Sequence, residues 1–108
     1  MAVTEGIVLY NRERDGCYNG VYTNNHPKVN GKIYNEILRK KEDDNEVPGI
    51  YDCFYFDLNN ERCNAEVEIK SGPGKVLEFT WKEIGGPIIF RGIGYQMNAH
   101  QIAVHYWD

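Results

Sequence analysis

Residues 64–82 read NAEVEIKSGPGKVLEFTWK, and this stretch decides the fold class. Apolar side chains alternate with polar or charged ones over two runs, which the segment Ser71-Gly72-Pro73-Gly74 separates. Because a period of two is typical of a strand with one buried face, the stretch predicts a β-hairpin. Its buried face is expected to carry Ala65, Val67, Ile69, Leu77, Phe79 and Trp81.

The charged residues of this hairpin predict its register. Pairing Lys70 with Glu78 brings opposite charges together across the two strands. A shift by two residues would instead place Glu68 opposite Glu78, a like-charge pair that costs stability. The predicted pairs are therefore Lys70 with Glu78, Glu66 with Lys82, Ile69 with Phe79, and Val67 with Trp81.

Composition indicates an ordinary globular protein. The 108 residues are 42% hydrophobic and 26% charged, which favours neither disorder nor a membrane-spanning segment. This length predicts one domain that covers residues 1–108. Eight tyrosines, four phenylalanines and two tryptophans, beside eleven glycines and only four prolines, favour strands and tight turns over helices.

The charge balance argues against nucleic-acid binding. The net charge is −4, and the only basic run, Arg39-Lys40-Lys41, is followed at once by Glu42-Asp43-Asp44. Binding to a phosphate backbone requires clustered Lys and Arg side chains, which this self-neutralising segment does not offer. We therefore expect no nucleic-acid partner.

The N-terminus and the cysteines predict the cellular compartment. Residues 1–5 have neither the basic start nor the apolar core of a signal peptide. Three cysteines are an odd number, which favours thiols over disulfides. We therefore expect a cytoplasmic location and no membrane partner.

One segment permits two predictions. Residues near 32–43 have the spacing of a short helix that follows Asn30, since three pairs lie four apart: Ile33 with Ile37, Tyr34 with Leu38, and Glu36 with Lys40. A strand fits equally, because the period of a short apolar run does not distinguish the two. The predicted strands on either side favour the strand.

Asn59-Asn60 predicts a two-residue turn between residues 50–57 and the opening hairpin. Asparagine tolerates the positive φ that both positions of such a turn require. This turn would place Asp52 opposite Val67 and Phe54 opposite Ala65. The buried face would then include Ile50, Asp52, Phe54 and Phe56, and the outer face would carry Tyr51, Cys53 and Tyr55.

The rest of the chain adds further strands between short turns. Counting residues 6–10, 16–22, 88–95 and 102–107 gives seven or eight strands in all. Strands that follow one another through short connections predict a mainly β fold, an antiparallel meander rolled into a small barrel or half-barrel.

Segments near both ends carry a family resemblance. Gly16-Cys17-Tyr18 with Gly20-Val21-Tyr22 resembles the Gly-x-Trp opening of lipocalin and avidin-like small barrels, although tyrosine stands in place of the tryptophan. Phe90-Arg91-Gly92-Ile93-Gly94 and the segment 102–106 resemble their closing strands. The resemblance implies a barrel with a cavity for a small ligand, and it assigns no family residue to a specific contact.

The first functional hypothesis is that the protein binds a small apolar or aromatic molecule. Aromatic side chains on the predicted inner face would line a cavity or groove, as is typical of small-molecule sites. No cofactor is expected. The predicted ligand-binding residues are Tyr22, Asp52, Phe54, Phe56, Phe79, Trp81 and Tyr106.

The second hypothesis is an acidic interaction module that forms a homo-oligomer, most simply a dimer. Tyr51, Cys53 and Tyr55 would form an aromatic stripe on the outer face, and exposed aromatic patches mark interfaces. The alternative is that another segment covers this stripe.

The third hypothesis is a small enzyme that uses Asp52 with His105. A carboxyl group among apolar side chains binds its proton more tightly, as a general acid or base requires. The alternative is that Asp52 lies at the rim or accepts a structural hydrogen bond. No metal site is predicted, because the histidines and cysteines lack the spacing of metal ligands.

Overall fold

The computed structural model describes residues 3–56 and 59–108, and these residues form a closed barrel of eight antiparallel strands. Each strand pairs with the next, and the last pairs with the first. No helix is found in these residues, and hence none long and apolar enough to cross a membrane. The strands are β1 Glu5–Arg14, β2 Cys17–Asn24, β3 Tyr34–Lys40, β4 Gly49–Phe56, β5 Arg62–Ser71, β6 Val76–Glu83, β7 Ile88–Asn98 and β8 Gln101–Trp107.

The mainly β fold predicted from the sequence is confirmed, with the larger of the two strand counts and with full closure. The register of the opening hairpin is also confirmed, since Lys70 pairs with Glu78 and Val67 pairs with Trp81. Alternation therefore sorts the two faces of β5 and β6 correctly, and Val67, Ile69, Phe79 and Trp81 are buried.

The predicted alternative of a short helix near residues 32–43 is wrong, and the strand is correct. Residues 34–40 form β3, which pairs with β2 on one side and with β4 on the other. Two ladders satisfy its backbone hydrogen bonds, which outweighs a local preference for helical spacing. Side chains along β3 alternate, so that Glu36, Leu38 and Lys40 are buried while Ile37 is 48% exposed.

The predicted register between β4 and β5 is wrong by one residue. Asp52 pairs with Glu66 and Phe56 with Arg62, whereas Asp57 lies outside the described residues. β4 ends at Phe56 and β5 begins at Arg62, so residues 57–61 connect them, and Asn60 in this connection has a positive φ of 61°. The connection is therefore longer than two residues.

This one-residue shift reverses both faces of β4, because successive side chains point to opposite sides of a sheet. Tyr51 and Cys53, predicted to lie outside, are 0% and 1% exposed inside the barrel. Ile50, Asp52, Phe54 and Phe56, predicted to be buried, are partly or largely exposed.

Half of the barrel interior is filled by large side chains, and we call this the closed half. The Phe79 ring stacks on Tyr10 at a centroid distance of 5.8 Å and on Trp81 at 5.5 Å. The fully buried residues of the closed half are Tyr10, Leu38, Tyr51, Ile69, Phe79 and Ile102.

Two glycines on β7 make room for these rings. A Cβ atom at Gly94 would lie 2.7 Å from Phe79 Cε1, and one at Gly92 would lie 3.0 Å from Trp81 Cζ3. Both rings therefore pack directly against the β7 backbone, which a larger residue at either position would prevent.

Candidate functional site

A cavity of about 230 Å³, partly open to solvent, occupies the rest of the interior, which we call the open half. It lies where β2, β4, β6 and β8 end and where β3 and β7 begin. Inward-facing residues of six strands converge there, and many of them are aromatic. The aromatic wall consists of Tyr22, Tyr34, Tyr55, Trp81, Phe90 and Tyr106.

The rings of the aromatic wall support one another. Tyr22 stacks on Tyr34 at a centroid distance of 5.8 Å, and Phe90 meets Tyr106 edge to face at 5.4 Å. Trp81 lies 5.7 Å from Tyr106 and continues into the Phe79 stack of the closed half. Such contacts hold side chains in place, so the cavity is preformed.

Residues 25–33, which connect β2 to β3, lie at the rim of the cavity. Val29 in this loop is only 2% exposed, although it belongs to no strand. Asn24 Nδ2 donates a hydrogen bond of 3.1 Å to the Tyr106 hydroxyl, which in turn donates to the carbonyl of Thr23 at 3.2 Å. The loop therefore narrows the opening of the cavity. The hydrogen bonds of the Tyr106 hydroxyl connect the aromatic wall to the end of β2.

Glu36 is the buried acidic residue of this site. It points inward from β3, is 7% exposed and lines the cavity. The Tyr10 hydroxyl donates to its Oε1 at 2.8 Å, and the Cys53 thiol donates to its Oε2 at 2.8 Å. One donor thus orients each carboxyl oxygen.

A glycine makes the bond between Tyr10 and Glu36 possible. Tyr10 on β1 pairs with Gly20 on β2, and Gly20 pairs with Glu36 on β3. A Cβ at Gly20 would lie 2.7 Å from Tyr10 Cε1 and 3.1 Å from Glu36 Cγ. The tyrosine ring can therefore cross over the intervening strand and reach the carboxyl group.

Burial sets the protonation of this cluster. Burial raises the pKa of Glu36, and hydrogen bonds from Cys53, Tyr10 and Trp81 oppose that rise. Burial first and the neighbouring Glu36 second raise the pKa of Cys53, and burial with Glu36 also raises the pKa of Tyr10. Both groups therefore remain protonated, and both can serve as donors.

A second buried charged residue on the same strand is held differently. Lys40 is 9% exposed, and its Nζ forms an ion pair with Asp44 and donates to the Glu46 carbonyl at 2.6 Å. The pKa of Asp44 is lowered, chiefly by its hydrogen bond from Lys40. Lys40 therefore has a counter-ion from the chain itself, in the loop between β3 and β4.

The seven predicted ligand-binding residues fall into three groups. Tyr22, Phe56, Trp81 and Tyr106 line the cavity, with Phe56 at its rim. Phe79 lies beneath it in the closed half. Asp52 and Phe54 lie on the outer side of the barrel, where the Arg62 guanidinium covers the Phe54 ring at 4.9 Å.

The structure does not bring the predicted catalytic pair together. Asp52 Oδ1 lies 3.0 Å from Lys41 Nζ, whereas His105 Nε2 lies 4.0 Å from Glu5 Oε1. Both side chains are partly or largely exposed. They belong to β4 and β8, which are four strands apart in either direction around the barrel, so they lie on opposite sides of it.

The predicted outer stripe of Tyr51, Cys53 and Tyr55 faces the interior. The Tyr51 hydroxyl donates to the Val47 carbonyl at 2.6 Å, and Tyr55 belongs to the aromatic wall. The placement of these residues on an accessible face was wrong, for the register reason given above, and they form no outer surface for a partner.

The sequence did not identify Glu36 as a site residue, because neither of the two alternating sets of residues along β3 is uniformly apolar. Its inner residues include Glu36 and Lys40, while Ile37 points outward. One signal was available in the neighbouring strand: Tyr18, Gly20 and Tyr22 alternate, so a glycine lies between two inward aromatic residues. A gap of this kind makes room for a side chain from an adjacent strand.

Within residues 3–56 and 59–108 there is no group of three His, Cys, Asp or Glu side chains that could hold a metal ion. The fold and the site together define a closed eight-stranded barrel with an aromatic cavity and a buried carboxyl group. No family model, curated protein or solved structure matches the chain. The function therefore has to be argued from the site itself.

Proposed function

We propose that this protein binds a small, largely aromatic molecule in the cavity of the open half. The observation that carries the proposal is the contrast between the two halves of one interior. Side chains fill the closed half, whereas about 230 Å³ remains open behind the aromatic wall. Small-molecule sites are typically apolar hollows of this kind with a few well-placed polar groups.

Trp81 supplies a direct test. The chain has two tryptophans; Trp81 lies in the aromatic wall, whereas Trp107 lies on β8 against His105. In a Trp107→Phe variant, all tryptophan emission comes from Trp81. Titration with toluene or phenethyl alcohol should change this emission in a saturable manner, because the probe would contact the indole ring.

A Trp81→Phe variant that retains Trp107 is the matched control. Its emission should remain constant over the same titration, since Trp107 is not part of the aromatic wall. Unchanged Trp81 emission up to the solubility limit of both probes, with an unchanged melting temperature, would contradict the proposed function.

The outer surface favours a second function, self-association. Ile7, Ile33, Ile93 and Tyr95 are 62%, 70%, 52% and 51% exposed. Ile7 on β1 and Ile93 on β7 both pair with His105 on β8, and Tyr95 pairs with Ala103, so these side chains form apolar rows on either side of β8. Ile33 lines the same surface hollow. A symmetric dimer would cover the rows of one copy with those of another, since a two-fold interface pairs a surface with itself.

Sedimentation velocity tests the dimer. The wild-type chain should sediment as a dimer, and Ile93→Lys should convert it to a monomer by placing a charge in the apolar rows. Ile50→Lys is the control, because Ile50 is 38% exposed on β4 and lies outside these rows. A monomeric wild type at high concentration would exclude self-association.

A further inference from the structure

We infer that the ligand of the cavity is a small arylalkyl ammonium, whose charged nitrogen contacts the Glu36 carboxylate while its ring lies within the aromatic wall. This inference rests on the proposed function and adds the chemical class of the ligand. It is argued from the partners of Glu36, the character of the wall and the size of the cavity.

The first argument is that the chain provides a counter-ion for one of its two buried charges on β3 and not for the other. Lys40 has the Asp44 carboxylate. The hydrogen-bond partners of Glu36 are the hydroxyl of Tyr10, the thiol of Cys53 and the indole of Trp81, which are all neutral. Among the described residues that line the cavity, none is Lys or Arg. A buried carboxyl group without a counter-ion favours its protonated form, and a partner of opposite charge stabilises the ionised form; the cavity leaves room for such a partner from outside.

The second argument is that Glu36 has acceptor capacity to spare. An ionised carboxylate accepts about four hydrogen bonds; Tyr10 and Cys53 donate one to each oxygen, and Trp81 donates a third. An ammonium group carries three donors and no acceptor, so it can fill the remaining acceptor position. The protein donors fix the plane of the carboxyl group, which prepares it for such a partner.

The electrostatic potential of the aromatic wall also favours a cation. The faces of aromatic rings carry negative potential and attract cations, most strongly when water is excluded. Trp81, Tyr55 and Tyr22 line the same cavity as Glu36. An anion would meet the carboxyl group and these ring faces with no Lys or Arg in the described lining to compensate, so the site disfavours anions. The net charge of −4 also favours cations.

The volume of the cavity suits a ligand of this size. A protein cavity of about 150 Å³ accommodates benzene. The present cavity of about 230 Å³ has room for one ring and a short chain that ends in an amine. Phenethylamine is therefore a suitable probe, and two analogues share its phenylethyl group and differ in the terminal group and its charge. Phenethyl alcohol is neutral, and phenylpropionate is an anion.

Proton release on ligand binding provides an independent test. At a pH where Glu36 is protonated in the ligand-free protein, the carboxyl group loses its proton when the ammonium binds, and one proton is released to solvent for each ligand bound. Affinity should then rise with pH, by up to about tenfold per pH unit, until Glu36 is ionised in the free protein. The titratable or donor groups near the carboxyl group or along the cavity are Tyr10 on β1, Tyr22 on β2, Cys53 and Tyr55 on β4, Trp81 on β6, Tyr106 on β8 and His26 in the rim loop.

The experiment measures all three probes by calorimetry and by Trp81 emission in the Trp107→Phe background. Phenethylamine should bind about 10- to 100-fold more tightly than phenethyl alcohol, as expected for a hydrogen bond to a charged group. Phenylpropionate should bind more weakly than either. Glu36→Gln should remove the preference for the amine and leave the binding of the alcohol nearly unchanged.

Glu78→Gln is the matched control. Glu78 is exposed on the outer side of β6, so its substitution changes the net charge equally without altering the cavity. Equal affinity for amine and alcohol in the wild-type cavity would overturn the inference, as would a preference that survives Glu36→Gln. If neither amine nor alcohol binds, the proposed function fails with it, so the two failures are distinguishable.

The wild-type chain alone provides the test should Glu36→Gln fail to fold. The ratio of amine to alcohol affinity should fall as the pH is lowered from about 8 towards the ordinary Glu pKa of 4.5. A ratio that remains constant over this range would show that Glu36 does not select the ligand.

Discussion

The closed and open halves of the barrel share the strands β3, β4, β6 and β8, and both contain aromatic rings, but these rings have different neighbours. In the closed half, Phe79 lies between Tyr10 and Trp81 and is 1% exposed. In the open half, Phe90 and Tyr106 contact each other on one side and face the cavity on the other. From this difference we expect that stability comes mainly from the closed half and that, on the proposed function, the open half binds the ligand.

The two buried charges on β3 differ in the same way. Lys40 lies under the loop between β3 and β4 and is satisfied by that loop. Glu36 lies four residues earlier on the same face of the strand and shares the cavity with the aromatic wall. Within seven residues, β3 therefore carries a lysine with a counter-ion from the chain and a glutamate whose hydrogen-bond partners are all neutral.

The largest expected effect tests where stability resides. Phe79→Ala should lower the free energy of unfolding by about 3–5 kcal/mol, because it removes a ring packed on both sides. Phe90→Ala should cost less than half as much, since Phe90 is partly buried and its loss enlarges an existing cavity. Urea denaturation followed by tryptophan emission measures both. Equal losses would break the distinction between the halves.

A somewhat smaller loss is expected for Gly20→Ala, about 1–3 kcal/mol. The new methyl group would contact the Tyr10 ring and Glu36, so one of them has to move. The matched control is Val21→Ala on the adjacent outer position, which should cost less. Gly20→Ala should also weaken phenethylamine binding, because the new methyl group disturbs the hydrogen bond from Tyr10 to Glu36. A fully stable Gly20→Ala variant would contradict the close approach of these groups.

The pH dependence of stability sharpens the contrast between the two buried charges. Burial raises the pKa of Glu36 in the folded chain, so the folded state binds more protons than the unfolded state. The stability that Glu36 contributes is complete below the ordinary pKa of 4.5, and it is lost as pH rises through the raised pKa. The slope is at most about 1.4 kcal/mol per pH unit.

Comparison of the wild-type chain with Glu36→Gln and Glu78→Gln isolates this contribution. Over the range just above pH 4.5, the wild type should lose stability relative to Glu36→Gln, and Glu78→Gln should follow the wild type. Denaturation curves at several pH values provide the measurement. Parallel pH profiles for the wild type and Glu36→Gln would show that the Glu36 pKa is not raised.

The fold could be predicted well from the sequence, because the alternation of apolar and polar residues along a strand reflects the burial of a whole sheet face. It predicted the β5 and β6 register because charges at Lys70 and Glu78 face each other. It failed at β4, where the register depended on the length of one connection and where the pair that forms, Asp52 with Glu66, is one of like charge. A shift of one residue then exchanged the two faces.

A usable signal existed in β4. The odd-numbered residues Tyr51, Cys53 and Tyr55 contain no charge, whereas the even-numbered set contains Asp52, and a charged residue favours the outer face. Glu36 could not be found in the same way, because it is itself a charged residue on the inner face. Its burial depends on Tyr10, Gly20 and Cys53 from three other strands, and alternation along one strand does not report such contacts.

The smallest expected effect concerns Asp52, the residue that the sequence placed inside. Asp52→Asn should leave the denaturation midpoint unchanged within error, because the pair with Lys41 is exposed to solvent and Lys41 also lies near Glu66. Probe binding should be unchanged as well, since Asp52 lies on the outer side of the barrel. The same acid-to-amide change at Glu36 should alter both ligand selectivity and the pH profile. If Asp52→Asn affected phenethylamine binding as strongly as Glu36→Gln, recognition would have to be assigned to net charge rather than to the carboxyl group in the cavity.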